Sequence, residues 1–140
     1  MDEVAALADA MVWLGAENLP EALLTACETA PTVVYDPLFG MPFEAALSIA
    51  APRARIVQVG SPAGVTATFA SSTVCGKQLN VLGYSNLGAP RDVFADAYRT
   101  MVGRSVEGSL TLDVVAVPLD EIGRAWAGMQ AGGAKYVLVP

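Results

Sequence analysis

The sequence predicts an α/β fold with a mainly parallel sheet, because apolar strands alternate with helices of about 10–15 residues along the chain. The clearest unit is the segment 31–60, PTVVYDPLFGMPFEAALSIAAPRARIVQVG, whose pattern predicts strand, helix and strand. Two neighbouring strands joined by a helix run parallel, so this segment is expected to form a right-handed βαβ unit. With 140 residues the chain is expected to form a single domain.

Three elements are expected before this unit. Residues 2–8 predict a short helix or the end of one, and residues 9–14, DAMVWL, predict a strand. Residues 17–29 predict a helix, because their apolar residues recur at the i, i+3, i+4 spacing of a buried stripe. Pro20 falls in the first turn of that helix, where its missing N–H is tolerated.

Within the βαβ unit, two turns follow the two strands. Residues 32–35 are β-branched or aromatic and predict a strand that ends at the turn 36–40. Residues 41–51 predict the helix, and residues 56–59 predict a second strand that ends at the turn 60–64. Ligands of open parallel sheets bind beyond the carboxyl ends of the strands, so these two turns are the candidate binding loops.

The rest of the chain continues the alternation. Residues 63–72 are ambiguous between a strand and an irregular loop. The elements expected after them are a short helical turn over 71–77, strands over 79–84, 110–117 and 135–139, a helix over 91–103, and a helix that begins at an Asp120 N-cap and ends at Gly132 and Gly133.

Composition limits the classes of partner. The net charge of −6 and the pI near 4.4 argue against a nucleic acid or an anionic membrane surface as partner. The apolar fraction is 54% and the charged fraction 16%, whereas typical domains have roughly 45–50% and about 25%. This apolar excess predicts a surface covered by another copy of the chain or by a partner.

Cysteine, histidine and tryptophan usage adds further expectations. The two cysteines, Cys27 and Cys75, predict a reduced, cytoplasmic protein in which both are small buried residues. Neither a membrane-spanning segment nor a signal peptide is indicated. The absence of histidine excludes His-based general-base catalysis and most catalytic zinc sites, and no metal site is expected. Trp13 and Trp126 are expected to be core or interface anchors.

Four pieces of the sequence carry a resemblance to a known family. Residues 7–12, LADAMV, are similar to the family's LGADAVV, and residues 32–40, TVVYDPLFG, to VVxDxVGG. Residues 51–60, APRARIVQVG, are similar to APGGRIVxxG, and residues 118–138 to PLDEIxxAxxxxxxGxxxGKxVL. In this order the chain resembles the C-terminal half of the medium-chain dehydrogenase/reductases, in the zinc-free quinone oxidoreductase and enoyl reductase branch.

The resemblance implies a partial Rossmann-like, doubly wound sheet that lacks the first, glycine-rich βαβ unit. Residues 110–140 resemble the segment that returns to the family's catalytic domain. The glycine-rich turn that holds the pyrophosphate has no match here, and neither does the catalytic domain. Without the first strand, residues 33–35 would form an open sheet edge, which residues 9–14 or a second chain are expected to pair with.

The resemblance also implies a function and a site. The complete enzyme would use NADP or NAD to reduce quinones, enones or similar activated alkenes. Partners would be a chain that supplies the missing N-terminal half, or another copy bound through residues 79–84. The alternatives are a non-catalytic interaction or dimerisation module and the remnant of a truncated reductase gene. The cofactor-binding residues implied are Asp36, Pro37 and Leu38 near the nicotinamide ribose, Gly60, Ser61 and Pro62 near the nicotinamide, and Gly83. The alternative for each loop is an ordinary turn, with Asp36 capping the following helix.

Overall fold

The computed structural model describes residues 7–130 and 135–140. The chain divides into two compact units, Met1–Gly88 and Ala89–Pro140, each with a sheet of its own. The first unit contains α1 (Leu19–Cys27), β1 (Val33–Asp36), α2 (Gly40–Ile49), β2 (Arg55–Gln58), α3 (Ser71–Lys77), β3 (Asn80–Gly83) and a 3₁₀ turn (Asn86–Gly88). The second unit contains α4 (Arg91–Val106), β4 (Val114–Pro118), a 3₁₀ turn (Leu119–Glu121), α5 (Ile122–Gln130) and β5 (Lys135–Val139).

Both sheets are parallel throughout. The first has the order β1-β2-β3, with Val34, Ile56 and Val81 in register across the three strands. The second pairs β4 with β5. These pairings, with helices between the strands, confirm the predicted α/β class and its partial Rossmann-like character. The single-domain organisation stays a prediction.

The core of the first unit forms where α2 packs against the sheet. Phe43 and Leu47 of α2 and its C-cap Ala50 follow an i, i+4, i+7 spacing and are all buried, because this face of the helix lies toward β2. The other buried members of this cluster are Ala54, Ile56 and Leu79. Lys77 closes the C-terminus of α2, since its Nζ donates to the carbonyl oxygens of Ser48 at 2.6 Å and Ala50 at 2.9 Å.

Strand β1 forms an edge of its sheet, as predicted. The carbonyls of Thr32 and Asp36 accept hydrogen bonds from residues at the two ends of β2, so the alternate residues Val33 and Tyr35 direct their N–H and C=O groups to the open side. The side chains of Val33 and Tyr35 are 54% and 71% exposed. An apolar edge of this kind can pair with another strand.

The predicted strand over residues 9–14 was wrong. These residues form turns and irregular backbone, and β1 pairs only with β2 among the described residues. The expected pairing of this segment with β1 therefore does not occur. A local strand pattern is not sufficient by itself, because a strand is stabilised by hydrogen bonds to a neighbour and residues 9–14 form no ladder with the open edge of β1.

Several boundaries differ from the prediction. Helix α1 is shorter because the Asn18 side chain accepts the Glu21 N–H at 3.4 Å and defines the start, while Glu28 ends the helix at a φ of 58°. Strand β4 is shorter because β5 offers only five residues to pair with. Helix α4 continues past Gly103 to Val106. The ambiguous segment 63–72 is an irregular loop up to the start of α3.

Other expectations were wrong or fall outside the described residues. Asp120 is not an N-cap, because the 3₁₀ turn Leu119–Glu121 contains it and begins after Pro118. Cys27, the last residue of α1, and Cys75, within α3, are both exposed, because neither side chain packs into the core cluster of the first unit. Residues 2–6 of the first predicted helix, and the glycines predicted to end α5, lie outside the described residues.

Both tryptophans of the chain are exposed. Trp13 and Trp126 are 79% and 60% exposed, so neither is a core residue, and their role as interface anchors stays a prediction. Within residues 7–130 and 135–140, no helix has the length and apolar character needed to cross a membrane.

Candidate functional site

The carboxyl ends of β1, β2 and β3 meet at one edge of the first sheet. Asp36, Gln58 and Gly83 are the last residues of the three strands and are in register with one another. The turns that follow β1 and β2 therefore leave the sheet side by side, because parallel strands end on the same edge. We call residues 36–40 loop 1 and residues 60–64 loop 2.

Loop 1 is held by the side chain at its first residue. The Asp36 Oδ1 accepts the backbone N–H groups of Leu38 at 3.1 Å and Phe39 at 3.0 Å. Phe39, the N-cap of α2, has φ 58° and ψ −163°, a conformation that non-glycine residues rarely adopt. Gly40 follows with φ +58°. Asp36 thus stabilises the turn before α2 and does not cap the helix itself, contrary to the alternative considered for it.

The second carboxylate oxygen of Asp36 differs from the first. Asp36 is 4% exposed, and in the part of the chain that the structure describes its Oδ2 has no hydrogen-bond partner. A buried oxygen without a partner costs free energy, so its presence calls for a reason other than the turn.

Loop 2 packs directly on loop 1. The Ala63 N–H donates to the Leu38 carbonyl at 3.0 Å. A Cβ placed on Gly60 would lie 2.7 Å from the Pro37 carbonyl oxygen, so only glycine permits this approach. Gly40 and Gly64 make a second close approach, since a Cβ on Gly64 would lie 3.1 Å from the Gly40 Cα. Loop 1 and loop 2 are therefore in direct backbone contact at this edge.

The chain after loop 2 is fastened to α2. The Glu44 Oε1 accepts the Thr68 N–H at 2.6 Å, and the ring of Phe69 lies edge-on to Phe43 with 6.1 Å between centroids. The sequence reasoning missed Glu44, although it is the single charged residue of α2, GMPFEAALSI. A lone carboxylate on an otherwise apolar helix was the available signal.

The structure thus brings together six of the seven predicted site residues. Asp36, Pro37 and Leu38 lie in loop 1, and Gly60, Ser61 and Pro62 lie in loop 2. Gly83 ends the same edge but is paired with Gln58 on the far side of β2 from loop 1, and an added Cβ there would meet nothing within 4 Å. The binding roles of all seven residues stay predictions.

The described residues hold no group of three or more Cys, Asp or Glu side chains arranged to bind a metal ion. The polar groups at this edge include backbone N–H and C=O groups, the buried Asp36 carboxylate, the exposed Ser61 hydroxyl, and the Gln58 amide, which donates to the Gly60 carbonyl at 2.8 Å. Such a surface can position a flat ligand.

Comparison with solved structures connects this fold to oxidoreductases. The chain is similar to a Sinorhizobium meliloti 1021 protein assigned as an alcohol dehydrogenase, with 30% identity over 99% of this chain and 39% of that one, and a TM-score of 0.76. The Escherichia coli quinone oxidoreductase complexed with NADPH is 22% identical over 92% of this chain and 42% of that one, with a TM-score of 0.73. The structure confirms the resemblance to part of a medium-chain dehydrogenase/reductase.

The enoyl reductase CurK shares the fold as well, with 19% identity over 85% of this chain and 37% of its own, and a TM-score of 0.60. The chain spans about 40% of the length of each of these medium-chain dehydrogenase/reductase relatives. No family model and no curated protein matches the chain.

Proposed function

We propose that this chain forms the nicotinamide-side half of the nucleotide site in an NAD(P)H-dependent oxidoreductase that reduces quinones, enones or similar activated alkenes. The observation that carries the proposal is the contact between loop 1 and loop 2 at the carboxyl edge of the parallel sheet. Ligands of such sheets bind at this edge, and the similar E. coli structure holds NADPH.

The residues present fit one end of a dinucleotide. The close approaches at Gly60 and Gly40 bring the backbones of loop 1 and loop 2 together, so that N–H and C=O groups of both loops would contact a flat nicotinamide and its ribose hydroxyls. A buried carboxylate at Asp36 disfavours a phosphate in the same place, because both are negatively charged. The pyrophosphate and adenosine would be held by a glycine-rich strand–turn–helix supplied by another segment or a second chain.

The chain's own task in this reaction is to bind and orient. When bound, the nicotinamide supplies a hydride to the acceptor, which also takes a proton from solvent, and the ring is left oxidised and positively charged. The loop backbones would fix the plane of the ring, and Asp36 would keep loop 1 in the required shape through its bonds to Leu38 and Phe39.

A non-catalytic interaction or dimerisation module is the second candidate, and the open side of β1 favours it. Tyr35, Val57 and Leu82 lie in register on the face of the sheet opposite to Ile56, and Tyr35 and Leu82 are exposed. An apolar row beside an unpaired edge is a surface that another chain can cover. A homo-oligomer in a cytoplasmic setting remains part of the proposal for either function.

The test begins with a ligand that carries only the nicotinamide half of the dinucleotide. Binding is measured by the fluorescence of the reduced nicotinamide, first with reduced nicotinamide mononucleotide and then with NADPH, on the purified full chain. We expect saturable binding of both, and no competition by AMP, because the adenosine half of the site lies outside this chain. NADPH consumption with a quinone and an enone then tests for turnover.

Matched glycine variants control this experiment. Gly60→Ala forces loop 1 and loop 2 apart and should weaken mononucleotide binding by about tenfold or more. Gly88→Ala adds a Cβ that meets nothing within 4 Å and should leave binding unchanged. If the folded chain binds neither probe, the nucleotide-site proposal is wrong and the interaction module is favoured. A chain that aggregates without folding would instead indicate a gene remnant.

A further inference from the structure

Asp36 carries a carboxylate at the start of loop 1. The hydrogen bonds that shape loop 1 use only Oδ1, and an asparagine carbonyl oxygen could accept both of them. The charge and the second oxygen are therefore not required by the turn. Yet Asp36 is 4% exposed, and burial of a carboxylate without a partner for Oδ2 is costly. An unpartnered buried oxygen of this kind calls for an explanation beyond the fold of the loop.

The surroundings of Asp36 leave its charge uncompensated by a side chain. The ion pairs of the described residues, Arg99–Asp96 and Arg124–Glu121, both lie in the second unit. Only the N-terminus of α2, which begins at Gly40, contributes a partial positive charge nearby. In a poorly solvated place, a net negative charge acts strongly on any charge that is brought next to it.

We propose that the Asp36 carboxylate favours the oxidised, positively charged form of a bound nicotinamide over the reduced, neutral form. This inference rests on the proposed function, because it places the nicotinamide against loop 1. The carboxylate attracts the pyridinium ring electrostatically and has little effect on the neutral dihydropyridine. Asp36 is thus a positioning residue for loop 1 that also shifts the bound nucleotide toward the product of hydride donation.

The experiment compares affinities for the two redox forms of one ligand. Reduced nicotinamide mononucleotide is titrated directly, and the oxidised form is measured by displacement of the reduced form. Asp36→Asn keeps an acceptor for the Leu38 and Phe39 N–H groups and removes the charge. We expect it to bind the reduced form about as well as the unmodified chain and the oxidised form about five- to tenfold more weakly. A purely structural role of Asp36 would change both affinities equally and leave their ratio constant.

A second carboxylate provides the matched control. Glu44→Gln removes one negative charge from the same unit and keeps the acceptor for the Thr68 N–H, so it should leave the ratio unchanged. If Asp36→Asn does not fold, Asp36→Ser supplies an uncharged hydroxyl acceptor with the same expected ratio. If the ratio of the two affinities is the same in the folded variant as in the unmodified chain, the inference is wrong and the proposed function stands. The inference is also wrong, and the proposed function again stands, if neither uncharged variant folds. Failure of the unmodified chain to bind either form overturns the inference together with the proposed function.

Discussion

The two units of the chain differ in how their apolar residues are covered. In the first unit six buried residues form one cluster between α2 and the three-stranded sheet. Among the described residues of the second unit, Val117 and Ala125 are the buried apolar ones, and the sixteen-residue helix α4 has none. The apolar residues of α4 are exposed, among them Val93, Phe94, Tyr98 and Met101.

The difference shows that regular helices and strands can form in a part of the chain that has few buried apolar residues. The second unit has regular helices and a β4–β5 ladder, but few of its described apolar residues are buried. Small units bury a smaller fraction of their surface than large ones, so less packing stabilises them. The first unit supports the candidate site because its strand ends are held by packing below them. Precise positioning of loops requires this kind of scaffold.

The largest expected effect on the free energy of unfolding distinguishes a buried phenylalanine from an exposed one. Phe43 is 2% exposed in the core cluster, whereas Phe94 is 54% exposed on α4. Phe43→Ala should lower the free energy of unfolding by about 3–5 kcal/mol, and Phe94→Ala by about 1 kcal/mol or less. Denaturant unfolding followed by circular dichroism measures both. Equal losses would show that α4 is as well packed as α2, and the contrast between the units would then be wrong.

The next largest effect on stability is expected at two glycines with positive φ. Gly40 has φ +58° and Gly108 has φ +76°, so alanine at either position should cost about 1 kcal/mol of backbone strain. At Gly40 the new Cβ would also lie 3.0 Å from the Ala63 carbonyl oxygen, whereas at Gly108 it meets nothing within 4 Å. We therefore expect Gly40→Ala to lose about 1–2 kcal/mol more than Gly108→Ala in thermal unfolding. A smaller loss at Gly40 would contradict the tight contact between loop 1 and loop 2.

The smallest effect on stability is expected at two glycines of α5. Comparing them tests the packing of the second unit. Gly128 faces Tyr136, and a Cβ there would lie 2.6 Å from the ring's Cζ, whereas a Cβ on Gly123 meets nothing within 4 Å. Gly128→Ala should destabilise the chain by about 1 kcal/mol, because the ring must move. Gly123→Ala should stabilise it by about 0.5–1 kcal/mol through helix propensity. Proteolysis rates within residues 122–139 measure both, and stabilisation by Gly128→Ala would show that α5 does not pack on β5.

Local patterns were sufficient to predict the elements of the βαβ unit. The β-branched run at 32–35, the apolar helix that follows and the turn residues Asp36, Pro37 and Gly60 placed β1, α2 and β2 within a few residues of their observed bounds. Helix ends were less predictable, because the start of α1 depends on a side-chain bond from Asn18 and its end on the conformation of Glu28.

The predictions that were wrong or missing depended on contacts with residues distant in the sequence. The segment 9–14 has the composition of a strand, but a strand requires a neighbour that the described chain does not place beside it. Cys27 and Cys75 have the size and polarity of buried residues, and only the packing of their helices shows that both are exposed. Glu44 was missed because its partner, the Thr68 N–H, lies 24 residues away.

The sequence by itself determined that β1, α2 and β2 alternate and that loops 1 and 2 follow the two strands, because β-branching, helical periodicity and glycine or proline turns act over a few residues. Only the tertiary structure decided that Gly60 touches the Pro37 carbonyl and that Asp36 uses one carboxylate oxygen and leaves the other buried. Those features depend on which backbones meet across the sheet edge, and such contacts arise from the packing of the whole unit rather than from any local stretch.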